Sequence, residues 1–382
     1  MPSERAHELA QHARLAKLLN GDFQIAEESS ADELSAFAVW ATDHRLAPLL
    51  HAQTPERSVW KELFHAARTE SLAAHLFRST WMKHLFEAGA SAGVSFTAFK
   101  GAGIAHLREV YAEPGLRPLG DVDLLVPRNE LPAAVAAAQK IGFTPPNDDP
   151  VVREYLLSEN YHVPLVHPDF GVLELHHGLY RDLPDGFTEG ALVRAVPLEM
   201  YGQRARVLAR PDLFLTLCVH YGIYERGCPP WAWLAEIFML GRALTPNEWS
   251  DVTQRAEATH TAVFVCAALS SLDTLWKLVP AAPESLSAAT WAKRLHPREL
   301  RAVQALLERL PEGALNGDKI SLARRLAGRP VRGGRVAKSL FCHPGAVCLE
   351  LNVRSDAPAF WRYRLQHAGK RLLRGVRAAW RS

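Results

Sequence analysis

The chain has 382 residues, 48% hydrophobic and 22% charged, a composition that excludes a wholly disordered protein. Its formal charge of +3 conceals a division: residues 1–318 carry 29 basic and 39 acidic side chains, while residues 319–382 carry 15 and 2. Such asymmetry predicts an anionic partner for the basic tail.

Length divided by ~150 residues predicts two to three domains or one elaborated domain. Five cysteines at irregular positions, Cys218, Cys228, Cys266, Cys342 and Cys348, are too few and too late for a disulfide framework, and a reducing cytoplasm suits them. The N-terminus, MPSERAHELAQHARLAKLLNGDF, interleaves charge with apolar residues and lacks the apolar core of a signal peptide. The longest apolar stretch, 261–272, is shorter than the ~20 residues that cross a bilayer, so no transmembrane segment is expected.

Residues 1–93 read as an N-terminal helical region, with Leu9, Ala13, Ala16 and Leu19, then Leu72, Leu76, Trp81 and Leu85, at helical spacing. From Val94 the run VSFTAFKG reads as a buried strand ending in a turn, and a helix is expected over 104–110. YAEPGLRPLGD is a Pro- and Gly-rich loop, and VDLLVP is a strand stopped by Pro127. Asn129 suits the N-cap of a helix over LPAAVAAAQKIG, with Gly142 at its far end. HVPLVHPDFGVLELHHGL reads as a hairpin turning at Pro168, Asp169 and Gly171. Together these predict a small α/β (α+β) core over 94–210. Helices resume at Pro211 and fill a C-terminal helical domain over 211–318. A basic tail over 319–382 ends in an amphipathic helix. Its apolar stripe is Trp361, Leu365, Leu372, Val376 and Trp380, and seven Arg and Lys residues cover the remaining surface. Such a helix can dock on the acidic body, a membrane or a nucleic acid.

The strongest chemical signal is GDVDLLV. On a strand, side chains alternate, so Asp121 and Asp123 share one face. Two adjacent carboxylates repel unless a cation lies between them, and Mg²⁺, or Mn²⁺, matches oxygen ligands that leave coordination free for phosphate. Lys100, Gly101 and Gly103 stand at a strand-to-helix turn of the kind that receives phosphate, and Arg117 lies in the loop that would close over it. In GVLELHHGL, Glu174 shares a face with His176 and sits in an otherwise apolar strand, where a carboxylate needs a partner or a metal. His177 faces the other way and reads as structural, as does His220 on the helix after Pro211. Cys218, His220 and Cys228, or Cys342, His343 and Cys348, lack paired zinc-ligand spacings. No dinucleotide turn, Walker lysine pair or nucleophile elbow occurs.

KGAGIAHLREVY, RPLGDVDLLV and LELHHGL resemble the signature of an uncharacterised nucleotidyltransferase family within the DNA polymerase β-like nucleotidyltransferase superfamily. The resemblance spans residues 99–180 and extends loosely into the following helices. The wider superfamily usually has Gly-Ser or Gly-Gly at the turn; here it is Gly101-Ala102, with nineteen residues between Gly101 and Asp121. The resemblance implies a mixed sheet with Asp121, Asp123 and Glu174 as catalytic metal ligands, and Lys100, Gly101, Arg117 and His176 at the nucleotide. The expected reaction moves a nucleoside monophosphate from an NTP to an unknown acceptor, a small molecule, peptide or RNA, in a pathway such as peptide or polysaccharide biosynthesis. Two other readings stay open: a toxin-like or RNA-directed enzyme acting on tRNA, and a catalytically inactive nucleotide-binding module.

Overall fold

A computed structural model describes residues 2–24, 29–158, 160–180, 186–223, 231–277 and 287–308, together with 344, 348–349 and 354–356. The amphipathic helix expected over 361–382, most of the basic tail, and Cys228, Cys342 and His343 lie outside the described residues.

The N-terminal region folds into α1 (Pro2–Leu19), α2 (Ala31–Asp43), α3 (Ala47–Gln53) and the long α4 (Val59–Ser91). Their starts are written locally: Ser30 and Glu33 close a capping box on α2, and Ser58 accepts from the Trp60 N–H at the head of α4. Next comes β1 (Thr97–Ala98), shorter than the strand expected from Val94. The helix expected over 104–110 instead begins at Lys100 as α5 (Lys100–Ile104). A single 3₁₀ turn, Pro114–Leu116, leads into β2 (Asp121–Leu125), followed by α6 (Leu131–Lys140) and α7 (Pro150–Ser158). Glu130, not Asn129, holds the N-cap position of α6 without capping it, because its carboxylate accepts from the Ser95 N–H at 3.1 Å.

The expected hairpin is present as β3 (His162–His167) and β4 (Gly171–His176); α8 (Phe187–Arg194) and a second hairpin, β5 (Val196–Met200) and β6 (Gln203–Val207), follow. The second hairpin turns through Tyr201 and Gly202, both at positive φ, the geometry that suits the twist of two-residue hairpins. The sheet order is β3-β4-β2-β1-β6-β5, with β2 parallel to β4, β1 parallel to β6, and the remaining pairs antiparallel. This is the mixed sheet of the α+β class expected. The chain then forms α9 (Arg210–Ile223), α10 (Ala232–Ala243), α11 (Pro246–Ala258), α12 (Ala262–Trp276), α13 (Ala288–Ala292) and α14 (Pro297–Leu307).

Two cores hold these elements. In one, Val122, Leu124, Leu173 and Leu175 of the sheet pack with Trp81, Leu85 and Phe86 of α4, Ala134 and Ala138 of α6, and Cys348 from the tail. In the other, Leu15, Phe37, Trp60 and Phe64 from the N-terminal helices join Phe214, Trp249, Val265 and Trp291 from the C-terminal ones. Helices before and after the sheet in sequence thus share one apolar interior. Leu125, on the same side of β2 as the two aspartates, belongs to this second core. The described part of the tail docks on the sheet region, where Ser355 donates its N–H to Asp149 Oδ2 at 2.7 Å.

Buried charge ties the C-terminal helices down. The fully buried Asp212 on α9 accepts two bonds from Arg194 of α8 and one from Arg255 of α11, each 2.9 Å, so no lone charge is left in the interior.

Buried neutral histidines set the response to acid. The His12 ring is fully buried and accepts from Trp276 Nε1 at 2.9 Å; burial, then the charge of His44, pushes its pKa down to about 3 from 6.5. Burial, with His106 and Arg78 adding, pushes His75 down to about 4. A histidine whose folded pKa is depressed takes up its proton first in the unfolded chain. Its contribution is therefore complete above the ordinary value and is lost as pH falls toward the folded value. Tm should hold steady above pH ~6.5 and fall between ~6.5 and ~3.5. A calorimetric series that stays flat over that interval would contradict neutral burial of these rings.

Candidate active site

Because β2 and β4 run parallel and in register, Asp123 stands directly beside Glu174, Asp121 beside Val172, and Leu125 beside His176. Alternation then raises Asp121 and Asp123 from one strand and Glu174 and His176 from the next onto one side of the sheet. Asp123, Glu174 and His176 converge: a ligand atom of each lies within 4.8 Å of the other two. His176 Nε2 is 2.9 Å from Asp123 Oδ1 and 3.1 Å from Glu174 Oε2. Carboxylates only accept, so that nitrogen carries a hydrogen and donates to both. The His176 ring is fully buried, edge-on to Phe99 at 4.8 Å between centroids and stacked on His162 at 5.0 Å. It is thus enclosed beside the two carboxylates.

Lys100 completes the cluster by donating to Asp123 Oδ1 at 2.7 Å. It begins α5 with φ of +46°, a left-handed conformation that costs a side-chain-bearing residue energy. Burial opposes the Lys100 charge, but Asp123 and then Glu174 hold its pKa above the ordinary lysine value. Burial likewise opposes ionisation of Asp123, and Lys100 with His176 overcomes it, keeping this carboxyl far below the usual range. For Glu174, the His176 hydrogen bond outweighs burial in the same direction. Asp121 goes the other way. The residue stands open at the start of β2, yet protein crowds its carboxyl group; loss of water and then repulsion from Asp123 and Glu174 raise its pKa.

Arg117 stays in the loop before β2 and is buried there. Its guanidinium is only 5% exposed and donates through Nε to Glu236 Oε1 of α10 at 2.8 Å and through Nη1 to the Pro118 carbonyl at 3.0 Å. Tyr111 donates its hydroxyl to the same Glu236 oxygen at 2.9 Å. Gly101 serves this arrangement: a Cβ there would stand 2.6 Å from Arg117 Nη1 and 2.8 Å from Leu119 Cδ2. Glycine is required at this turn because the pinned arginine packs on it.

Two arginines of the N-terminal helices, unnoticed in the sequence, approach the same loop. Arg78 on α4 donates to the Leu119 carbonyl at 3.0 Å, with Arg117 and Asp121 within its electrostatic reach. Arg45, just past α2, lies so close to Gly120 that a Cβ there would meet its Nη2 at 3.0 Å. His220 on α9, expected to be merely structural, senses the charges of Lys100 and Asp123, and burial pushes its pKa down to about 3. Its ring lies 4.1 Å from that of Trp233. Neither arginine carries a local sequence signal, since only the packing of helices on the loop brings them there.

Three carboxylates gathered around one lysine leave net negative charge at the sheet surface, a demand that a divalent cation satisfies. Their donors are oxygens suited to Mg²⁺ or Mn²⁺, while His176 Nε2, whose hydrogen is shared with both carboxylates, could join them only by giving that hydrogen up.

Removing one partner from the buried Arg117–Glu236 pair should strand the other. Glu236→Ala should cost about 3–5 kcal/mol, and the apolar double replacement Arg117→Met with Glu236→Leu should recover much of that loss. Urea unfolding of the three proteins checks this; equal stability of Glu236→Ala and wild type would refute it.

The described residues contain no helix long and apolar enough to cross a membrane. Neither a curated protein nor a solved structure matches the chain. A family model does, over residues 30–277, a span from α2 to the end of α12 that takes in the whole sheet and the carboxylate cluster. On this match over more than half its length, the chain belongs to the family described as uncharacterised nucleotidyltransferase.

Proposed function

We propose that the chain transfers a nucleoside monophosphate from an NTP to an acceptor hydroxyl and releases pyrophosphate, using Mg²⁺ or Mn²⁺. The observation that carries this reading is the side-by-side placement of Asp123 and Glu174 on neighbouring parallel strands, with Asp121 ahead on the same face, in a chain of a nucleotidyltransferase family. Asp121, Asp123 and Glu174 would hold the ion, which when bound withdraws charge from phosphate oxygens.

The chain's own groups do the rest. His176 fixes Asp123 and Glu174 in orientation from below through a single donating nitrogen. Lys100 places a positive charge beside Asp123 at the α5 turn, within reach of phosphate oxygens. Arg117 and Gly101 act through the loop that presents Asp121, by locking it to α10. In the step itself, the acceptor oxygen bonds to the α-phosphorus as the bond from that phosphorus to the bridging oxygen breaks. The electron pair departs with pyrophosphate, and the acceptor proton passes to a carboxylate of the trio. Such chemistry depends mainly on positioning and charge neutralisation.

The test is incubation of the purified full chain with each labelled NTP, Mg²⁺ or Mn²⁺, and a cell extract as the source of acceptor. Label should transfer with wild type and fall to background with Asp123→Ala. His176→Ala, which removes an orienting group, should lower transfer by about 10- to 100-fold while thermal melting confirms the fold. Transfer that persists in Asp123→Ala would sink the mechanism, and absence of metal-dependent NTP binding by wild type would favour an inactive module.

A further inference from the structure

We infer that a cavity between α3, α4 and the segment 112–116 is a second ligand site, one that takes a small organic anion by its carboxylate or phosphate oxygens. This goes beyond the nucleotidyltransferase reading and does not depend on it, since none of the residues lining the cavity belongs to the carboxylate cluster.

The cavity has a volume of about 570 Å³, within the ~300–1,000 Å³ of small-molecule sites and larger than an inorganic ion needs. Helical spacing gives it a wall of nitrogen. Lys61, His65 and Arg68 recur at intervals of four and three on α4, so they share a face. His51 of α3 meets that face, with its ring 6.0 Å from the ring of His65.

Charges of both signs line the cavity, and depth separates them. His51 is 8% exposed, and the side chains of Lys61 and Arg68 are 14% and 31% exposed. The carboxylates lie farther out. Glu56, 3.0 Å from Lys61 Nζ, is 90% exposed; Glu113, which accepts from Arg68 Nη2 at 2.9 Å, is 46% exposed; Glu62 is exposed beside them. An occupant that reaches the floor therefore meets nitrogen, while the carboxylates stay at the rim. The His51 ring registers the same field: burial first, then the charges of Lys61, Arg68 and His65, push its pKa below the ordinary value, with Glu56 opposing.

Two of these nitrogens have unmet capacity. Among the described residues, His51 Nδ1 and Arg68 Nε are enclosed and have no hydrogen-bond partner. An arginine Nε always donates, and a neutral histidine can donate from Nδ1. Leaving such donors unmet inside a protein is costly, and an oxyanion that draws them to itself removes that cost. A cation would gain nothing from them and would be repelled by Lys61 and Arg68. The segment 112–116 leads directly into Arg117, so the occupant rests against the loop that the Arg117–Glu236 pair locks.

Titration calorimetry on the full chain tests this with glycerol 3-phosphate, succinate and, as a cationic control, putrescine. EDTA in the buffer withholds the ion that phosphate would need at the carboxylate cluster. Wild type should bind at least one of the two anions in the millimolar range or tighter, the preferred one identifying the head group, and should not bind putrescine. Arg68→Gln should weaken anion binding by about tenfold or more. Lys61→Gln should weaken it severalfold at little cost in Tm, because the pair with the exposed Glu56 contributes little to stability; it decides the matter if Arg68→Gln does not fold. Asp123→Ala should bind the anion as wild type does. If neither anion binds wild type, if putrescine binds as tightly, or if Lys61→Gln and a folded Arg68→Gln bind as well as wild type, the cavity is only a salt-bridged cleft and the inference fails. Loss of binding in Asp123→Ala would place the anion at the carboxylate cluster and overturn it too. The reaction reading stands or falls separately, on label transfer.

Discussion

The buried contact between Arg117 and Glu236 fixes where the chemistry can happen. Glu236 is fully enclosed on α10 and Arg117 nearly so. Removing both charges from water is costly, and that cost is offset only because every strong donor and acceptor is met: Tyr111 shares the carboxylate and the Pro118 carbonyl takes Nη1. Burial works against the Arg117 charge, and the adjoining Glu236 more than restores it, holding its pKa above the ordinary arginine value. The segment 111–118 is thereby locked to the helical core. Gly101 rests against the locked guanidinium, so α5 and Lys100 are placed by it; Gly120 and Asp121 follow two and three residues beyond Pro118, so the start of β2 is placed by it too. A contact between this loop and α10 therefore sets the relative positions of the lysine and the carboxylates.

Within that frame the carboxylates are made unequal. Lys100 and His176 hold Asp123 as an anion, whereas loss of water and then repulsion from Asp123 and Glu174 raise the pKa of Asp121. Environments that push paired acids apart are how one fold separates a permanently charged group from an adaptable one. Here the group held as an anion is the buried one, and the group with the raised pKa stands exposed at the start of β2.

Much of this was legible in the sequence, and the limits have physical causes. Strand alternation was enough to put Asp121 with Asp123 and Glu174 with His176, and the hairpin turn at Pro168–Gly171 was enough to make β3 and β4 neighbours. Alternation says nothing about which strand lies beside which, so the register that sets Asp123 against Glu174 became visible only in the sheet. Arg117 read as a phosphate ligand because its partner Glu236 is distant in the chain. The hairpin of β5 and β6, turning at Tyr201-Gly202, was not anticipated within the core, because its exposed, largely polar strands lack the apolar alternation of a half-buried strand. His176 was recognised as sharing a face with Glu174, but its complete burial depends on Phe99 and His162 closing around it from other elements.

The overall charge pattern takes on a different meaning in this setting. The body of the chain is acidic and its tail basic, which on sequence alone points to the tail as the place for anions. Yet Arg45, Arg78, Lys100 and Arg117 all approach the start of β2 from within the first 120 residues. Coulomb attraction acts over a few ångströms in a crowded interior and is screened across solvent, so local placement of cations counts for more here than the net charge of the whole body. The N-terminal helices contribute two of them, and those helices share a core with α9 to α14. The packing that closes the fold therefore also brings these cations to the segment that leads into β2.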